Sequence, residues 1–225
     1  MDSSLLDHEQ PHVANKDYDM PQKKTYAGLS CIGVLWSILS FMSMLASCVG
    51  YFMPYWLEGH MHNNTPVYLG TFRRCNYLSY SNNDELSVVK ECGRYTTFWD
   101  IPGLYWKIVT VVVGTGAGLT ILISFASMLG CCCREFISRT TTRVLGVFQF
   151  FAGLLVAGGA AIYPMGWDTR EVKQACGDTA AIYHLGTCTM GWAYYTTMGG
   201  GALALICAFL SCNAARVRKY KFSDG

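Results

Sequence analysis

The eleven cysteines of this 225-residue chain are its most reactive side chains, and their positions sort them into three groups. Cys75, Cys92, Cys176 and Cys188 stand in polar, turn-rich stretches, where thiol pairs oxidise to disulfides if the compartment permits. Cys131, Cys132 and Cys133 close an apolar run immediately before Arg134, a place where S-palmitoylation is common. Cys31, Cys48 and Cys207 lie inside apolar runs and read as small hydrophobes, with Cys212 a weaker acylation candidate. Histidine adds little: His60 and His62 flank Met61, His184 stands apart, and all three read as solvated loop residues. No histidine lies near Cys131–Cys133 to complete four metal ligands. The chain has no H-E-x-x-H, G-x-S-x-G or Walker loop, so neither catalysis nor a bound cofactor is expected. Asn63-Asn64-Thr65 makes Asn63 a glycosylation candidate, disfavoured by the Pro66 that follows.

The elements that position these groups are apolar. The chain is 52% hydrophobic and 14% charged, against about 25% charge in soluble domains. The net charge of +2 is dispersed, and with no basic block nucleic-acid binding is not expected. Four runs match the ~20 apolar residues that cross a bilayer: 27–53, 104–130, 144–163 and 191–212. Helices are the expected form, because lipid offers an open backbone no hydrogen-bond partner. The organisation is then a polar tail at 1–26, a tetraspan domain at 27–212 with outer loops at 54–103 and 164–190, and a tail at 213–225. No signal peptide precedes the first run, so that run is expected to act as an uncleaved signal.

Lys23 and Lys24 precede the first run, Arg134, Arg139 and Arg143 lie between the second and third, and Arg216, Arg218, Lys219 and Lys221 follow the fourth. By the positive-inside rule these sites and both termini are cytosolic, and the plasma membrane is the expected location. Cys75, Cys92, Cys176, Cys188 and the Asn63 sequon all then fall outside, on the oxidising side.

A first outer loop of fifty residues is too long for a plain connection. VYLGTFRRC at 67–75 and RYTTFW at 94–99 read as strands, bounded by NNTP and SYSNND. Four cysteines allow three pairings, of which the local one, Cys75–Cys92 with Cys176–Cys188, is favoured; each bridge is worth about 3 kcal/mol on chain-entropy grounds. Trp167 and Trp192 are expected at the membrane interface, where Trp is enriched. Within the spans, Gly114 and Gly118 form a G-x-x-x-G expected to pack inside the bundle. Gln149 is expected to bond a neighbouring helix, and Lys107 to snorkel outward. The absence of mid-membrane acids or bases argues against a proton-coupled carrier or an ion pore.

Trp56, Leu69, Gly70, Phe72, Cys75 and Cys92 resemble the W…G-L-W-x-x-C…C signature of the claudin and peripheral-myelin-protein superfamily, with Leu-Gly for Gly-Leu and Phe72 for the second Trp. The second loop is more specific. Tyr163, Pro164, Gly166, Trp167, Cys176, Gly177, Gly186, Cys188, Trp192 and Ala193 are similar to the lipoma-fusion-partner-like tetraspan family, which includes the tetraspan membrane protein of hair-cell stereocilia. The resemblance covers about 27–212. It implies an all-α membrane four-helix bundle, left-handed, with a small extracellular β-sheet. It also implies a non-enzymatic auxiliary subunit. Characterised relatives serve a mechanotransduction channel with a tip-link cadherin, or inhibitory synaptic receptors. The expected partners are therefore ion-channel or receptor subunits, a cadherin-like adhesion protein, and membrane lipid. The alternative is a claudin-like adhesion or barrier protein that polymerises along cell contacts.

Overall fold

The computed structural model describes residues 27–61, 64–80, 86–132 and 138–217. Four of its helices are long and apolar enough to cross a membrane: α1 (Cys31–Phe52), α2 (Gly103–Cys132), α3 (Arg139–Ile162) and α5 (Trp192–Ser211). A short α4 (Arg170–Cys176) lies between the last two. The long helices form a ring in which α1 and α3 each pack against both α2 and α5. Helix starts follow local chemistry: Ser30 accepts from the Gly33 amide and Ser138 from the Thr141 amide, each satisfying an amide that the helix leaves free. The Ser138 cap starts α3 at Arg139, so the helix runs five residues beyond the apolar stretch that begins at Val144.

The side-chain distribution identifies the solvent. The buried stripe of α1 is Gly33, Trp36, Ser37, Ser40, Ser43, Ser47 and Gly50, while Ile32, Leu35, Ile38, Met42, Val49 and Phe52 face outward. In water this arrangement would be inside out. In lipid, large apolar groups gain nothing by leaving the surface, and small residues let backbones approach. The chain is a multi-pass membrane protein.

Beyond the ends of α1 and α2 the chain builds a five-stranded antiparallel sheet in the order β5-β4-β3-β2-β6. Its strands are β2 (Leu57–His60), β3 (Pro66–Leu69), β4 (Arg73–Tyr80), β5 (Leu86–Arg94) and β6 (Thr189–Met190). At the other end of the bundle β1 (Ala27–Leu29) pairs with β7 (Ala215–Val217). The five-stranded sheet joins both outer segments, because β6 of the second pairs with β2 of the first, Leu57 opposite Met190. This is the claudin-like arrangement, a four-helix membrane bundle with a small sheet.

Three expectations are corrected. The stretch 67–75, read as one strand, splits into β3 and β4 around a turn in which the Gly70 amide donates to the Arg73 carbonyl at 2.8 Å. The strand expected at 94–99 is displaced: the partner of β4 is 86–94, and Phe98–Asp100 forms a 3-10 turn. There Asp100 accepts from the Thr97 amide at 2.8 Å, a local bond that competes with extension. Trp167, expected to face the headgroups, instead packs inside the protein, only 4% exposed and within the main core.

Candidate functional site: the bridged lobe and its seat

The lobe rests on Tyr163, the residue after α3. Its ring lies parallel to Trp106 of α2, centroids 5.0 Å apart, and meets Trp56 edge-on at 4.9 Å. Its hydroxyl donates to the Leu69 carbonyl in β3 at 3.1 Å, and its own carbonyl accepts from Trp106 Nε1 at 3.3 Å. Trp56, fully buried, donates from Nε1 to the Gly50 carbonyl of α1 at 2.7 Å. These three rings tie α1, α2, α3 and the sheet together, with every ring N–H and hydroxyl used, as buried polar atoms require.

The other motif residues serve the same joint. Leu69 is buried, and a side chain on Gly70 would press on the Pro54 backbone. Phe72 packs on Tyr51 and Phe52, centroids 4.9 and 6.0 Å away. The Pro164 carbonyl accepts from the amides of Trp167 and Tyr183, both at 3.3 Å. A Cβ on Gly166 would overlap the Trp106 ring. Trp192 is 47% exposed and stacks on Tyr55, centroids 5.8 Å apart.

Two disulfides, Cys75–Cys92 and Cys176–Cys188, close loops of 17 and 12 residues. The first joins β4 to β5 at opposed ladder positions. The second joins the last residue of α4 to the segment leading into β6, and its Cys188 Sγ lies where a side chain on Gly59 of β2 would stand. The turn between Cys176 and Cys188 requires glycine at two points. Gly177 and Gly186 have φ of 83° and 61°, in the region that L side chains avoid, and a Cβ on Gly186 would strike the Cys176 carbonyl.

A clasp absent from the sequence expectations joins the two outer segments. Arg74 of β4 forms an ion pair with Glu171 of α4, and its guanidinium lies over the rings of Tyr77 and Tyr95 at 3.9 and 4.6 Å. Tyr95 donates its hydroxyl to the other Glu171 oxygen at 2.6 Å. Burial raises the Tyr95 phenol well above its ordinary pKa, with the Arg74 charge opposing, so it stays a donor. Arg74 and Glu171 are 97 positions apart, and nothing local in the sequence pairs them.

Within the bundle, Gln149 is 2% exposed; it accepts from Trp36 Nε1 and donates to Ser40 Oγ of α1, both at 2.9 Å. The G-x-x-x-G divides. Gly114 faces Tyr51 of α1, Gly118 faces open space, and Gly116 between them makes the close approach to α3. The backbone of Cys131 and Cys132 closes α2, whereas Cys133 and Asn63 lie outside the described residues. Among the described residues no group of three or more His, Cys, Asp or Glu could hold a metal. Two open grooves on the lobe are lined by residues of 100–103 and 168–178.

The sequence profile of the lipoma HMGIC fusion partner-like protein family matches residues 32–216. The chain is 32% identical over 182 residues to the LHFPL tetraspan subfamily member 3 protein of Danio rerio, a match spanning 80% of each chain. It is 27% identical over 205 residues to the LHFPL tetraspan subfamily member 2 protein of Homo sapiens, spanning 83% of this chain and 88% of that one. To the member 4 protein of Mus musculus it is 30% identical over 185 residues, spanning 80% and 70%.

Proposed function

The chain belongs to the lipoma HMGIC fusion partner-like family, and from that premise we propose that it is a non-enzymatic auxiliary or adaptor subunit of a plasma-membrane ion-channel or receptor complex. It supports assembly, trafficking or gating of that complex, in a setting such as mechanotransduction or a synapse. Both termini are cytosolic and the lobe is extracellular. The two bridged cysteine pairs favour that orientation, since disulfides persist on the oxidising side.

The observation that carries the reading is the lobe's construction. One disulfide within each segment, the β2–β6 pairing and the Arg74–Glu171 clasp between them, and the Tyr163 seat below fix two distant segments as one body on the helices. A body fixed before binding loses little conformational entropy when it meets a partner's ectodomain. Lipid-exposed helix faces offer a second surface for a partner's spans, channel or receptor subunits being the expected ones and a cadherin-like adhesion protein another.

The test is co-purification. The protein is tagged at its C-terminus in the native organism, solubilised gently, and its companions identified by mass spectrometry. A channel or receptor at fixed stoichiometry is the expected result. Recovery of self-assemblies and junction proteins alone would overturn it in favour of claudin-like adhesion.

A further inference from the structure

Trp99 is 77% exposed, yet the turn that carries it is firmly built. Asp100 accepts from the Thr97 amide, and Ile101, next along, is buried. The ring is presented rather than left loose. Phe98 against it, and Leu104 and Tyr105 at the start of α2, are exposed as well, and they continue into the outward face of α2 through Ile108 and Val111. That face meets lipid, so Trp99 stands where the membrane surface meets the lobe. Trp is enriched at that depth because its ring is apolar and its N–H is wet.

Three cations gather at the same corner. Lys107 Nζ lies 5.4 Å from the Trp99 ring centroid. Arg73 donates to the Phe52 carbonyl at the end of α1, at 3.3 Å. Arg94 lies directly opposite Arg73 in the β4–β5 ladder, so the two leave the same face of the sheet. The loop before Arg73 joins this group to Lys107: Thr71 accepts from Thr110 Oγ1 at 2.9 Å, one helical turn beyond Lys107. The ion pairs among the described residues, Arg74–Glu171 and Lys173–Asp168, engage none of the three. Asp100, next to Trp99, accepts from the Thr97 amide and keeps its charge, so the corner carries three cations against one carboxylate. Opposed like charges destabilise a sheet pair, and an anion held between them would remove that repulsion.

We propose that this corner is a phospholipid site. Arg73, Arg94 and Lys107 hold the phosphate of a headgroup, Trp99 seats beside the glycerol, and the acyl chains descend along the exposed face of α2. The lipid is a phosphodiester anion on the lobe side of the membrane. A membrane lipid is favoured over an acidic protein segment because the corner is continuous with the lipid-facing surface of α2.

The test uses the full chain in nanodiscs. Native mass spectrometry measures retention of phosphatidylglycerol in the wild type and in Lys107→Gln and Arg94→Gln. Each substitution is expected to weaken retention about fivefold, the effect of one basic residue near an anionic surface, and Lys107→Arg to restore it. Brominated phosphatidylcholines report depth, with Trp99→Phe as the subtraction control. Emission attributable to Trp99 is expected to be quenched more by bromines near the glycerol than by bromines deep in the chains. Unchanged retention in both glutamine variants, with helical circular dichroism intact, would overturn the proposal. So would a Trp99 that neither lipid quenches, which would assign the corner to water or to a protein partner.

Discussion

The two ends of the bundle hold themselves together by different means. At the lobe end, Trp56, Trp106, Tyr163 and Trp167 bury large aromatic area, and two disulfides and an ion-paired clasp close the structure above them. Toward the other end the buried cluster is small, formed by Trp36, Cys207 and Ala214. The contacts nearby are polar or minute: Gln149 bridges Trp36 and Ser40, and Ser43 donates to the Gly200 carbonyl at 2.8 Å. The difference follows from solvent. The lobe is surrounded by water, where burying rings is strongly favourable. The spans are surrounded by lipid, where burying apolar groups gains almost nothing and association rests on close packing and hydrogen bonds. Substitutions at the lobe end should therefore be costly, and those within the spans mild.

The largest effect on delivery and assembly is expected from removing the second bridge. Cys176 and Cys188 are both buried, and their disulfide holds α4 against β2. The double change Cys176→Ser, Cys188→Ser should cost about 2 to 5 kcal/mol and abolish surface delivery or complex formation, measured by surface biotinylation and co-purification. Normal delivery and assembly would contradict the stapled-lobe account. The first bridge ties an edge hairpin whose Cys92 is exposed, so Cys75→Ser, Cys92→Ser should be the milder of the two.

Next is the seat. Tyr163→Ala removes a fully buried ring and should lower stability by about 3 to 5 kcal/mol, as large-to-small core changes do. Tyr163→Phe removes only the bond to the Leu69 carbonyl and should cost about 1 kcal/mol. Thermal unfolding in detergent, followed by size-exclusion chromatography, separates the two. The clasp should come third. Arg74→Ala leaves Glu171 part-buried without its cation, at a cost of about 1.5 to 3 kcal/mol. Adding Glu171→Gln should cost less than the sum of the single changes, because the residues share one interaction.

Within the spans the effects should shrink. Gln149→Leu breaks two hydrogen bonds between α1 and α3, yet membrane-embedded bonds of this kind contribute only about 0.6 to 1.7 kcal/mol. A loss as large as that of Tyr163→Ala would break the contrast between the ends. Gly118→Ala should be neutral, whereas Gly116→Ala drives a methyl into Val156 and Leu155 of α3 and should not.

Much of this was legible in the sequence, and what was not shares a cause. Long apolar runs reveal the spans, because crossing lipid is a local demand on about twenty consecutive residues. The cysteines and the Tyr163–Trp167 motif point to a bridged outer lobe because they are close in sequence. The β2–β6 pairing, the Arg74–Glu171 clasp and the position of Trp167 depend on segments 97 or more positions apart or on tertiary enclosure. The 94–99 stretch misleads because its β-formers suit a strand, while Thr97 and Asp100 find a local bond instead. Gly118 carries the spacing of a helix contact, but the helix that approaches α2 does so at Gly116.

The central claim is that both outer segments form one preformed body on the Tyr163 seat. Hydrogen–deuterium exchange on the full chain in nanodiscs, comparing wild type with Cys176→Ser, Cys188→Ser, tests it most directly. The account predicts that β2 and β3, in the first segment, lose protection together with α4 and β6 in the second. Faster exchange confined to 170–190, with β2 and β3 as protected as in the wild type, would contradict it.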